Sequence, residues 1–443
     1  MYLHSFRNAT RHALNVVRNI PISKHLATTA VVSSIVKMNG NHTPNFIQMK
    51  HDYAALKVKQ SRLMDAIHTG CKYGAAHPYG GDPTETGMAR LSLNDADKQV
   101  RDWFKATVES LGCVYSVDQM GNQFAIRHGK NKSQPPVMMG SHLDTQPTGG
   151  RYDGILGVTA GLEALKVLHE HNVETEGSIG VVNWTNEEGA RFPMMAVSSG
   201  VWAEAVPLET AWNLAEVSPS EDGTKKTMKQ ELEKIGYLGK QKASYQSFPF
   251  AAYFELHIEQ GPILEMEKRR IGVVEGVQAF KWFEITVHGR DTHAGTTPMN
   301  ARKDSMLCAA KLIVEANKIA KAHDGLATTG ILNMEPGSIN TMAHTVTFTL
   351  DVRHKSDEKL ADIEKQCRAK FEDIATKDSE KGCKLEWKEL VDSPAVIFHK
   401  DCIAAVRDSA MEVCEELENT ASEGQLHKPM ISGAGELVIA MPH

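Results

Sequence analysis

Four short clusters of side chains that could ligate a metal occur in order along the chain: Gly-Ser-His142-Leu-Asp144, Tyr-Asp153-Gly154, Asn-Glu187-Glu188-Gly and Leu-His257-Ile-Glu-Gln260-Gly-Pro. Imidazole nitrogens with carboxylate oxygens, and no paired thiolates, suit a divalent cation of borderline character. Zn²⁺ is the expected ion; Mn²⁺, Co²⁺ or Ni²⁺ could substitute. His142 and His257 would each supply a nitrogen. Asp144 would orient His142 from behind, as carboxylates commonly do for metal-bound imidazoles. Asp153, in a glycine-flanked turn, could bridge two ions. Glu187 and Glu188 leave a strand as neighbours, so their side chains diverge. One can ligate while the other overhangs the ions as a base, its pKa raised by the crowded negative charge. Alone, each motif is more often scaffolding or a solvated turn. Their joint occurrence is what points to a site for two cations.

The elements that must position these residues are short apolar runs followed by helices. The run from Val137 to Ser141 reads as a buried strand, Gly157–Glu170 as a helix, and Ser178–Trp184 and Ala251–Leu256 as further strands. Leu93–Leu111 reads as a helix capped by Asn94 or Asp95. Such alternation predicts an α/β domain with a parallel or mixed sheet and helices on both faces. Ligands in such sheets bind beyond the carboxyl ends of the strands, where His142, Glu187, Glu188 and His257 fall.

A second pattern begins near residue 269. Ile271–Gly276 and Trp282–Gly289 read as strands, Arg302–His323 as a helix and Ala327–Asn333 and Thr345–Arg353 as strands. Glu358–Asp378 then reads as a helix and Cys383–Leu390 as a strand. That order matches the β-α-β-β-α-β plan of a ferredoxin-like module. The expected organisation is therefore a catalytic domain over 57–268 and 391–443, with an inserted domain over 269–390. The charged stretch Pro219–Lys242 reads as a surface excursion.

The 443 residues leave room for about two or three domains, and an apolar share of 41% suits sizeable cores. A net charge of -6 gives no reason to expect nucleic acid as a partner. No uninterrupted apolar run of about 18 residues predicts a membrane span. Seven scattered cysteines argue for a reduced compartment and against a disulfide scaffold. Residues 1–50 are basic, rich in Ser, Thr and Asn, and lack Asp and Glu. This is the composition of a mitochondrial transit segment, with a disordered tail or a secretory signal around Leu26–Val36 as the alternatives. The expected location is mitochondrial or cytoplasmic.

The stretches GSHLDTQPTGGRYDGILGV, VVNWTNEEGARF, FELHIEQGP, VHGRDTHAGTTPMNARKD and GSINTMAHTVTFTLDVRH carry a resemblance. Over most of residues 58–435 the chain resembles the amidase/carbamoylase branch of the M20 metallopeptidase-like hydrolases. That branch includes β-ureidopropionase, N-carbamoyl-L-amino-acid hydrolase and allantoate amidohydrolase. His257 is telling, because related peptidases generally carry an acidic ligand there. The resemblance implies a zinc-hydrolase catalytic domain with an inserted lid and dimerisation domain. It implies one cation held by His142, Asp153 and His257, and another by Asp153, Glu188 and a C-terminal His. Glu187 would be the general base and His293 would stabilise the oxyanion. Gln260, Asn340 and Arg353 would grip the substrate, Arg353 through its carboxylate; for Arg353 an ion pair with Asp351 is the bland alternative. The implied reaction is hydrolysis of N-carbamoyl amino acids such as N-carbamoyl-β-alanine, in a homodimer. An allantoate amidohydrolase or a dipeptidase are the alternatives.

One position departs from the pattern. Ser432-Gly-Ala-Gly435 is followed by Glu436, where the family places the His of the second cation, and the sequence then runs only to His443. The expectation is a C-terminally truncated chain, 436–443 being intron read-through or the end of a short isoform. Its second site would lack the usual His unless Glu436 or His443 replaced it, leaving a catalytically impaired member of the family as the rival outcome.

Overall fold

The computed structural model describes residues 56–219, 223–377, 380–418, 429–432 and 438–441, from 415 onward as backbone only. The expectations for residues 1–50, Glu436 and His443 lie outside the described residues. Among the described residues there are sixteen strands: β1 (Ala75–Pro78), β2 (Thr86–Met88), β3 (Val114–Val117), β4 (Gln123–Arg127), β5 (Val137–His142), β6 (Ile179–Trp184), β7 (Ala252–Ile258), β8 (Gly272–Val277), β9 (Ala279–His288), β10 (Leu326–Thr328), β11 (Leu332–Glu335), β12 (Thr345–His354), β13 (Lys384–Ser393), β14 (Val396–Ile397), β15 (Pro429–Ser432) and β16 (Val438–Met441). The chain divides into two units, one containing Gly276–Ile397 and the other the described residues up to Glu275 and from Phe398 to Glu418.

The larger unit is built on a mixed sheet in the order β8-β16-β7-β5-β6-β4-β3. At its centre β5 runs parallel to both β6 and β7, with His142 opposite Trp184 and Met139 opposite Phe254. Every residue of β5 and β6 is buried, as expected for strands covered on both faces. Side chains alternate between faces along a strand. Val137 and Met139 accordingly join Val158, Leu162 and Leu165 of the helix Ile155–Glu170. Met138 instead joins Phe124, Val182, Trp184, Trp202 and Phe250 in an aromatic layer. Where Gly157 of that helix crosses the sheet, a Cβ would stand 2.7 Å from the Leu256 carbonyl, so glycine permits the close approach. β16 lies between β7, which it parallels, and β8.

The helix Asp95–Ser110 begins as expected: Asn94 caps it, its side chain accepting the Asp97 N–H at 2.8 Å. The stretch expected to be a surface excursion differs. Thr227 and Gln230 form a capping box, and the helix Met228–Ile235 buries Met228, Leu232 and Ile235. Alternating charge hid three apolar residues at helical spacing.

In the smaller unit β9, β10, β12 and β13 pair antiparallel in the order β10-β12-β9-β13, with β11 also on β12. The helices Ser305–Ala322 and Asp357–Lys377 cover Phe283, Ile285, Phe348 and Leu350. The single strand expected over Ala327–Asn333 is two short ones. Between them Ile331 N–H donates to the Thr349 hydroxyl at 3.0 Å rather than to a ladder carbonyl. None of the seven cysteines is in a disulfide. Among the described residues no helix is long and apolar enough to cross a membrane.

Candidate metal centre

His142 closes β5, His257 is the penultimate residue of β7, and Glu187 and Glu188 follow the end of β6. Three adjacent parallel strands thus deliver their polar residues to one sheet edge, their carboxyl ends. Asp153 arrives by another route, in the turn that starts the helix Ile155–Glu170, where a carboxylate suits the positive end of the helix dipole. Gly154 makes that turn possible. Its φ is +69°, and a Cβ there would stand 2.5 Å from the His142 ring.

The ligating atoms of His142, Asp153 and His257 all lie within 4.8 Å of one another. His142 Nε2 is 3.7 Å from Asp153 Oδ1 and 3.4 Å from Glu187 Oε2, and His257 Nε2 is 2.9 Å from the same Asp153 oxygen. Both rings are held by their other nitrogen: Nδ1 of His142 donates to the Asp144 carbonyl at 2.8 Å and Nδ1 of His257 to the Ile258 carbonyl at 2.8 Å. A carbonyl can only accept, so each Nδ1 carries a proton and each ring turns its Nε2 inward. Asp153 Oδ1 is sealed from solvent and faces His257 Nε2, while Oδ2 accepts from Gln260 Nε2 at 2.9 Å. Two imidazole nitrogens and a buried carboxylate oxygen facing one another form a donor set compatible with a divalent cation.

The carboxylates around the two rings also shift their titration. Burial opposes charge on His142, but Glu187, Asp144, Asp153 and Glu188 outweigh it and carry its pKa up to about 10. Burial likewise opposes charge on His257, and its pairing with Asp153 prevails, so its pKa is raised. Asp153 is pulled down to about 2: burial works against its charge, and the two imidazoles with Gln260 overcome it. Burial pushes Asp144 up to about 6.

Asp144 stands behind His142, but the oxygen that holds the ring is its main-chain carbonyl. The carboxylate oxygens are turned to Glu187 and Glu188, accepting their N–H groups at 3.2 and 3.3 Å. Three anchors absent from the sequence reading complete this frame. Fully buried Arg90 donates to the carbonyls of Leu143, Gly70 and Tyr73. Fully buried Arg101 pairs with Asp97 at 2.7 Å and donates to Thr185 Oγ1 at 3.1 Å, just ahead of the Glu pair. Asn186, with φ of +55°, donates to the carbonyls of Phe192 and Met194 and so folds back the loop after Glu187. A signal existed for one: Asp97 and Arg101 lie on the same helical face as Val100, Phe104 and Val108, four residues apart.

The remaining sequence candidates belong to the smaller unit. His293 bridges to Thr341, the neighbour of Asn340, and Ala294 N–H donates to the Asn340 carbonyl at 2.9 Å. Arg353 lies on β12, where Nε and Nη2 both donate to Asp351, and its guanidinium stands 5.3 Å from the Phe280 ring centre.

Comparison with known proteins agrees with this chemistry. A profile of the family described as peptidase family M20/M25/M40 matches residues 138–431. N-carbamoyl-L-amino-acid amidohydrolase of Rhizobium meliloti is 36% identical over 384 residues, covering 86% of this chain and 85% of that protein. Allantoate deiminase 1 of Glycine max is 29% identical, covering 80% of this chain and 77% of its own. A hydantoinase/carbamoylase family amidase from Burkholderia multivorans superposes with a TM-score of 0.76 at 38% identity, covering 88% of this chain and 91% of that one. The chain belongs to the M20/M25/M40 peptidase family and, within it, is an enzyme of the amidohydrolase kind.

Proposed function

We propose that this enzyme hydrolyses the carbamoyl C–N bond of N-carbamoyl amino acids, giving the amino acid, carbon dioxide and ammonia. The observation that carries the proposal is the convergence of His142 Nε2, Asp153 Oδ1 and His257 Nε2, with the Glu187 carboxylate 3.4 Å from the first of them. Two divalent cations, Zn²⁺ first, held by His142, Asp153, His257 and Glu188 would supply a Lewis acid and an acidified water. Glu187 is the proton carrier: its backbone is fixed by Asp144, and its carboxylate faces the convergent donors. For oxyanion stabilisation by His293 and substrate binding by Gln260, Asn340 and Arg353 the support is the family resemblance. Arg353 suits a substrate carboxylate, since its guanidinium can add partners beyond Asp351. N-carbamoyl-β-alanine is the first substrate to test. Homodimerisation through the smaller unit and a mitochondrial or cytoplasmic location belong to the same proposal.

The test is ammonia release by the zinc-loaded 443-residue chain from N-carbamoyl-β-alanine, N-carbamoyl-L-amino acids and allantoate, beside amino-acid release from dipeptides. Ammonia from a carbamoyl amino acid is expected. Dipeptide cleavage with no ammonia from any of the three would overturn the proposal. Glu436, at the position where the family carries an imidazole, favours a second reading: a chain with one complete cation site and weak turnover. Counting cations per chain separates the two.

A further inference from the structure

Gln146 stands in the loop leaving β5, two residues past Asp144, with its side chain exposed. Its Nε2 donates to Glu188 Oε2 at 2.8 Å and reaches the Glu188 carbonyl at 3.3 Å. Asp144 meanwhile accepts the Glu188 N–H. Main chain and carboxylate of Glu188 are thus both tied to the turn that carries His142, the side chain through an amide that can only donate at that atom. A neutral donor on one carboxylate oxygen fixes the rotamer and leaves the other oxygen for a cation, without adding charge to a cluster already rich in carboxylates. We infer that Gln146 is a positioning residue for Glu188, presenting it to a cation through a single oxygen. This inference rests on the proposed reading of Glu188 as a cation ligand.

The loop itself does not need the Gln146 side chain. Thr145 Oγ1 and Gly149 N–H both donate to its main-chain carbonyl, at 3.0 and 3.2 Å, and these bonds survive substitution. The experiment is a Zn²⁺ titration against a chromophoric chelator on the full chain, wild type beside Gln146→Leu and Gln146→Met, with urea midpoints as a check on folding. Removing such an outer partner commonly weakens a metal site 10- to 100-fold. The expected result is two ions on the wild type. In both variants the weaker ion should bind about 10- to 100-fold more loosely, with the tighter ion and the urea midpoint unmoved. Two ions bound equally tightly by wild type and variants would overturn the inference alone. A single ion on the wild type would overturn the reading of Glu188 and the inference with it.

Discussion

His257 Nε2 lies 2.9 Å from Asp153 Oδ1, the buried oxygen that faces both imidazoles. With the His257 ring proton on Nδ1, the facing atoms are both electron-pair donors. Such a contact is stable only when a proton or a cation satisfies both. Asp153 also faces His142, so it links both imidazoles. Asp153→Asn should keep the volume and remove the charge. The expected outcome is a loss of Zn²⁺ affinity beyond the roughly 100-fold upper range for outer partners, read by chelator competition. Unchanged affinity would show that the three donors do not form a site.

Gly154 allows Asp153 and His142 to meet. An alanine there must take a φ of +69° and place its Cβ 2.5 Å from the imidazole, so the ring or the turn has to yield. Left-handed backbone on a non-glycine residue costs about 1–3 kcal/mol. Gly154→Ala should therefore lower the unfolding free energy by about that amount, and bound Zn²⁺ should fall more steeply than stability. A variant that melts lower but holds its cation with wild-type affinity would show that the turn, and not the ring, absorbs the change.

The sequence carried the types of the candidate ligands and their strand-end placement because both are local properties. A buried parallel strand is an apolar run; His142 ends one, His257 lies near the end of another, and Glu187 comes three residues past a third. What it could not carry is the frame behind them. Arg90 and Arg101 act on carbonyls and a hydroxyl far along the chain, Leu143 and Thr185 among them, and nothing next to an arginine announces such a partner. Asp144 illustrates the limit: the period of two put it beside His142. Only the turn after the strand decides that its carbonyl takes the ring while its carboxylate takes the amides of Glu187 and Glu188. The helix Met228–Ile235 was missed differently, since its capping box Thr227–Gln230 was legible but lay within a charged stretch.

The Asp97–Arg101 pair makes that frame testable. Both side chains are fully buried, and Asp97 Oδ2 also accepts the Leu93 N–H at 2.7 Å. Arg101→Met would strand a buried carboxylate, a change that typically costs about 3–5 kcal/mol. Replacing both partners, as Asp97→Asn with Arg101→Met, removes the stranded charge, so the double variant should be more stable than the single one in urea. Equal damage in both would mean that the lost bonds to Gly121 and Thr185, rather than the charge on Asp97, dominate.

Asp118 gives stability a pH dependence of definite sign. It is fully buried, and burial outweighs three donated hydrogen bonds, from Met120 N–H, Asn122 N–H and the Asn122 side chain, carrying it up to about 7 from 3.8. The folded chain therefore holds a proton that the unfolded chain releases between those values. The stabilisation is complete below the unfolded value and is lost as pH rises through the folded one. Relative to Asp118→Asn, which cannot titrate, the wild type should lose stability between about pH 4 and pH 7, by at most about 1.4 kcal/mol per pH unit. Urea midpoints across that range measure it. Parallel curves for the two proteins would mean that the three hydrogen bonds keep Asp118 ionised in the fold, and that the network reaching Thr185 through Asn122 is built around a carboxylate.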